Sequence, residues 1–170
     1  MKTLILYETV HGSAEKCALL LKEKINRKST VVRLQENENI DISGFDMIIL
    51  GGSIHNGVIH TRVQEFIEKN FPVLLQKPHG LFLVCMETGE TAVQEFNNAF
   101  PEKLRKSAIA SGIFGGELIF KKMNTFERFV TSKIAKVTKS VSRINFEEID
   151  KFAEAVTRHD LKLFRESRTL

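Results

Sequence analysis

The chain has no tryptophan, one tyrosine (Tyr7), two cysteines and three prolines in 170 residues. Cys17 and Cys85 are too few for a disulfide-stapled scaffold. Neither stands at ligand spacing from a second Cys or a His, so no metal site is expected. A reducing, cytoplasmic setting is the simplest inference. No apolar run approaches the ~20 residues that span a bilayer. The opening run MKTLILYETV is broken by Glu8 and His11, with no small-residue cleavage site after it, so it reads as a first strand and not a leader. Neither Gly-Lys-Ser/Thr nor GxGxxG occurs, which sets aside the P-loop and dinucleotide fingerprints. No linker, repeat or low-complexity tract interrupts residues 1–170, which read as a single domain.

What the chain does have is 42% hydrophobic residues in short blocks. Runs at 2–7, 30–34, 46–50, 80–85 and 107–113 are nearly continuous in apolar residues, the pattern of strands covered on both faces. Between them lie helical patterns over 13–26, 61–70 (with Thr61 as cap), 91–105 (with a break or second short helix at Pro101), 125–142 and 146–164. Asn124 with Glu127 reads as a capping box for the fourth. Only QENENIDISGF joins the second and third strands, room for a single helical turn at most. The alternation predicts an α/β fold: a parallel sheet with helices on both faces and its connecting loops at the strands' C-terminal edge.

Three of those loops carry the functional signal. In YETVHGSAEK, Gly12 permits a sharp turn, and Thr9 and Ser13 supply hydroxyls. The helix starting at Gly12 or Ser13 offers N–H groups that have no internal partner. Such a turn suits a phosphate monoester. After the third strand, Gly51 and Gly52 lead into Ser53, Ile54, His55, Asn56 and Gly57. After the fourth come Met86, Glu87, Thr88, Gly89, Glu90 and Thr91. Loops converging beyond strand carboxyl ends are where open α/β sheets bind ligands.

With these three loops in order, the chain resembles flavodoxin-type, FMN-binding domains over residues 1 to about 120. The resemblance implies a five-stranded sheet of order 2-1-3-4-5. It also implies a phosphate cradle at Thr9, Val10, His11, Gly12, Ser13 and Ala14, and a flavin ring between Ser53–Gly57 and Met86–Gly89. His11 and Ala14 stand where that family usually places hydroxyl residues. GGSIHNGVIHTRVQEFI and GIFGGELIF, leading into MNTFERFVTSKI, further resemble the quinone-linked, oxygen-independent protoporphyrinogen oxidases of bacteria. In that branch a long insertion follows the fourth strand, and residues 86–106 are shorter. The implied activity is FMN-dependent electron transfer from a reduced organic substrate to quinone. A one-electron carrier between protein partners and a flavin-free interaction module on the same fold stay open as alternatives.

His55 stands where the family often stacks an aromatic on the flavin. Cys85 ends the fourth strand near the expected ring position and reads as a buried packing thiol, as does Cys17. Glu87 and Glu90 read as solvated loop charges, and His60 and His79 flank turns without a ligand partner. Residues 121–143 hold seven Lys/Arg against Glu127 alone, a balance of +6 in a chain of net +4. That stretch is expected to be either a solvated face or a docking surface for an acidic membrane, peripheral on the inner face. Nucleic acid is not expected, because no exposed stacking aromatics are interleaved with these cations.

Overall fold

The computed structural model describes residues 2–25, 28–36, 40–118 and 140–166. Five parallel strands form its centre: β1 (Thr3–Glu8), β2 (Ser29–Arg33), β3 (Met47–His55), β5 (His79–Val84) and β6 (Ala110–Ile113). Their order is β2-β1-β3-β5-β6, with the short β4 (Val58–Ile59) folded back antiparallel on β3. Without that hairpin strand, this is the expected 2-1-3-4-5 order.

Side chains alternate across the sheet, and the alternation builds two cores. Leu4, Leu6, Ile48, Leu50, Leu81 and Leu83 face one side. There they meet α2 (Thr61–Gln76), α3 (Gly89–Ala99) and α4 (Glu102–Ser107) through Val63, Ile67, Ala92 and Leu104. Ile5, Tyr7, Met47, Ile49, Phe82 and Val84 face the other side. They are covered by α1 (Ser13–Ile25) and α5 (Phe146–Glu166) through Cys17, Leu21, Ile149 and Phe152. Phe114 stacks on Phe82 at 5.3 Å and meets Phe152 edge-on at 5.4 Å between ring centroids, locking this second core.

Several boundaries differ from the sequence reading, each for a local reason. The third strand runs five residues beyond 50, because β4 pairs Ile54 with Ile59 and His55 with Val58. α2 continues through Pro72 to Gln76: Leu74 is buried, and Lys77 N–H closes on Val73 O at 3.1 Å. Its cap is His60, whose Nδ1 accepts Arg62 N–H at 3.3 Å, and not Thr61. The 91–105 segment splits at Pro101 into α3 and α4 as expected, but α4 runs on through Ser107, so β6 begins at 110 and not 107. As expected, a single turn is all the helix described between β2 and β3, the 3-10 turn Leu34–Glu36. Residues 141–142, expected as the end of a helix, form β8 (Val141–Ser142), paired with β7 (Glu117–Leu118). The rest of that expected helix, its Asn124/Glu127 cap and most of the basic segment lie outside the described residues.

His79 also has more to do than flank a turn. It is buried at the start of β5, with Nδ1 2.9 Å from Lys77 O and Nε2 3.0 Å from Leu104 O. The ring ties the sheet to α4.

Candidate cofactor site

The loops after β1, β3 and β5 leave the same edge of the sheet, as parallel strands require. In the first, Gly12 adopts φ 93°, a conformation that strains any residue with a Cβ. Its N–H donates to Thr9 Oγ1 at 2.9 Å, closing the turn. The first intrahelical bond of α1 runs from Lys16 N–H to Gly12 O at 3.1 Å. The N–H groups of Ser13, Ala14 and Glu15 precede it and point out of the helix end. Thr9, Ser13 and Ala14 are buried, His11 and Gly12 half-buried, and Val10 exposed. Ser13 Oγ lies 3.3 Å from Glu117 O as its donor, so this hydroxyl already has an acceptor. Lys16 likewise places its ammonium 2.6 Å from the Glu117 carboxylate.

The second loop is a β-hairpin. Asn56 (φ 52°) and Gly57 (φ 78°) take the two left-handed positions of a two-residue turn, the geometry that Asn-Gly favours. The turn leaves Asn56 and Gly57 exposed and brings half-buried Ile54 and His55 back along the sheet edge. His55 meets His11 edge-on at 5.9 Å between ring centroids, so the first two loops touch. Just inside, Ser53 Oγ is buried with no hydrogen-bond partner among the described residues. An orphaned buried hydroxyl at a ligand edge is a group waiting for a partner.

The third loop is Met86–Thr88, with Gly89 (φ 61°) opening α3. Met86 is half-buried, and Glu87, Thr88 and Gly89 are exposed. Cys85, just before it, donates its N–H to Gly115 O at 3.1 Å. Glu117 completes the ring: its carboxylate accepts from Lys16 and from Ser142 Oγ (2.7 Å), fastening the β7–β8 ribbon to the end of α1. A cleft of about 560 Å³ opens against the third loop, walled by Glu87, Thr88, Gly89, Phe96, Ile113 and Arg143.

The flavodoxin domain family model matches residues 4–145 of this chain. The chain belongs to the flavodoxin domain family. Among curated proteins, it is 23% identical to protoporphyrinogen IX dehydrogenase [quinone] of Escherichia coli strain K12, over 92% of this chain and 94% of that one. Among solved structures, it resembles the rubredoxin oxygen:oxidoreductase of Desulfovibrio gigas, with a TM-score of 0.57 and 16% identity. That match covers 93% of this chain and 35% of the enzyme, so the chain spans about a third of its length. It also resembles the flavodoxin of Streptococcus pneumoniae TIGR4, with a TM-score of 0.56 and 16% identity, over 94% of this chain and 99% of that one.

In this flavodoxin-family site the thiols are inert packing groups. Burial pushes Cys17 up to about 12, with the Glu117 charge adding to it. Burial likewise pushes Cys85 up to about 12, with the Glu95 carboxyl beside it as the next cause. Burial also raises Glu95 itself. In the unfolded chain these thiols ionise near 9.0. Between those two values the folded state holds more protons than the unfolded state, so stability falls as pH rises through that window. Native protein at pH 8 is therefore expected to be silent to a disulfide-exchange reagent, and both thiols react only in denaturant. Rapid labelling of one thiol in the native state contradicts this.

Sequence reasoning missed four residues that build the site's frame: Glu8, Arg33, Gly115 and Glu117. The first two were visible as opposite charges ending adjacent apolar strands. The last two depend on a ribbon whose second strand is 24 positions along the chain from the first, and no local pattern marks it.

Proposed function

We propose that this chain is an FMN-dependent redox protein that passes electrons from a reduced organic substrate to a quinone. The observation that carries the reading is the convergence of the loops. Free first-turn N–H groups of α1, the orphaned Ser53 Oγ and the His11–His55 pair all lie at the edge shared by β1, β3 and β5.

These residues fit a flavin mononucleotide. The N–H groups of Val10, His11, Ser13 and Ala14 would hold the phosphate, with Gly12 N–H kept on Thr9 Oγ1 and the Thr9 hydroxyl hydrogen still available. Ser53 would receive a polar atom of the ligand, and Ile54, His55 and Met86 would flank the ring. When bound, FMN supplies the electron chemistry, and the chain supplies binding, orientation and exclusion of water. With no tryptophan in the chain and Tyr7 buried in the core, the cover that the described residues offer the ring is Ile54, His55 and Met86.

The rim favours an apolar acceptor. Val10 on the first loop, Val58 on the hairpin and Val93 on α3 are 41%, 62% and 51% exposed. Apolar groups at such a rim suit a neutral quinone better than an ion-paired protein partner. The 23% identical dehydrogenase, whose name includes quinone, makes protoporphyrinogen the first substrate to test. The basic stretch 121–143 supports a peripheral site on an acidic membrane surface, where a quinone would be met. Among the described residues no helix is long and apolar enough to cross a membrane.

The test has two stages. The purified protein, or its apo form given FMN, should show bound flavin absorbance and quenched flavin fluorescence. A colourless protein that ignores excess FMN overturns the reading. The flavoprotein should then oxidise protoporphyrinogen at a rate set by added quinone. Electron exchange with small redox proteins and none with quinone would instead favour the carrier function.

A further inference from the structure

Glu8 has no exposed side-chain surface, yet it is a carboxylate directly under a loop shaped for an anion. Its surroundings explain how it is tolerated. Oε1 accepts Arg33 Nε at 2.8 Å and Thr9 N–H at 3.0 Å, and Oε2 accepts Gln35 N–H at 2.8 Å. The same guanidinium reaches past Glu8, and its second nitrogen donates to Thr9 O at 2.8 Å. Hydrogen bonding to Glu8 in turn raises the affinity of Arg33 for its proton.

That second contact sets a direction. A trans peptide is planar, so its C=O and the following N–H point opposite ways. Arg33 ends β2, which lies on one side of β1, and β3 lies on the other. Holding Thr9 O on the Arg33 guanidinium therefore turns Val10 N–H the opposite way, away from that side chain.

We propose that Glu8 and Arg33 are positioning residues: the buried carboxylate holds the guanidinium, which aims the Val10 N–H at the cofactor phosphate. Glu8 is the anchor that fixes the fork, and Arg33 is the clamp on the loop. The loop thus compensates for the hydroxyls missing at His11 and Ala14 by ordering a backbone donor. The proposal rests on the FMN reading above and adds to it a named source of phosphate selectivity.

The test compares FMN with riboflavin, which lacks the phosphate. Apo wild type, R33K and the double variant E8Q/R33M are titrated with each by fluorescence quenching, and native folding is checked by circular dichroism. R33K keeps a charge but not the two-nitrogen fork. The double variant removes both charges, so no buried carboxylate is left unpaired. Both variants are expected to lose about tenfold in FMN affinity, about one hydrogen bond to a charged group, with riboflavin affinity unchanged. An unchanged FMN-to-riboflavin ratio in either folded variant overturns the clamp, as does an equal loss for both ligands. If wild type binds neither ligand, the cofactor reading itself fails, an outcome distinct from failure of the clamp.

Discussion

Gly115→Ala is expected to destabilise the protein by about 3–5 kcal/mol, read as a lower midpoint in urea unfolding. Gly115 has φ 68°, where a Cβ crowds its own carbonyl, at roughly 1–2 kcal/mol. The methyl would also land on the Arg143 carbonyl oxygen, backbone that cannot rotate away. Relief requires the two crossing segments to part, and they are joined by Arg143 N–H to Gly116 O (2.8 Å) and Asn145 N–H to Phe114 O (2.9 Å). Gly115 O also accepts Cys85 N–H, so parting them moves the third loop and should weaken flavin binding along with stability. Two controls separate strain from crowding. Gly57 has φ 78° with open space around it, so Gly57→Ala should cost only about 1–2 kcal/mol. Gly44 has neither positive φ nor a neighbour within 4 Å, and Gly44→Ala should be neutral or slightly stabilising. Equal losses at Gly115 and Gly57 would show that the Arg143 clash contributes nothing.

The parallel sheet was legible because its strands are covered twice. Leu4 and Leu6 serve one core and Ile5 and Tyr7 the other, so LILY reads as an unbroken apolar run. The helices were legible where one face is buried, as at Ala14, Cys17, Ala18, Leu21 and Ile25. The hairpin after β3 was missed although its signal was present: Asn56-Gly57 between Ile54-His55 and Val58-Ile59 is a strong two-residue turn. The same residues were read only as a ligand loop, and the structure shows that they form a hairpin. What could not be read was long-range. The Gly115 turn fits because Arg143 passes it, and Glu117 matters because Lys16 and Ser142 reach it. Pairings across such distances leave no period in the chain. Arg33 lies between. A lone cation in TVVRL suggests a strand end, but only the register that places it opposite Tyr7 brings it to Glu8.

Arg33→Met alone is expected to cost about 3–5 kcal/mol, the usual loss when one partner of a buried ion pair is removed. The two ends of this pair are unequal. The Arg33 side chain is 29% exposed, and Glu8 is fully buried. Taking away the guanidinium therefore strands the charge that cannot reach water, whereas Glu8→Gln leaves a cation that can. Glu8→Gln should cost less, about 1–3 kcal/mol, because the carboxamide oxygen still accepts while its NH₂ group faces a backbone N–H it cannot serve. In E8Q/R33M the stranded charge is gone, and the double variant should be more stable than R33M. Urea unfolding of all four proteins gives the coupling energy, expected at about 1–3 kcal/mol with the pair favourable. Strict additivity would mean that the Glu8 side chain gains no stability from Arg33 and is held by Thr9 and Gln35 N–H alone. The guanidinium would then serve the loop carbonyl and not the carboxylate. The stability cycle and the FMN-to-riboflavin ratio thus measure different halves of one side chain: its Nε toward Glu8 and its Nη toward Thr9.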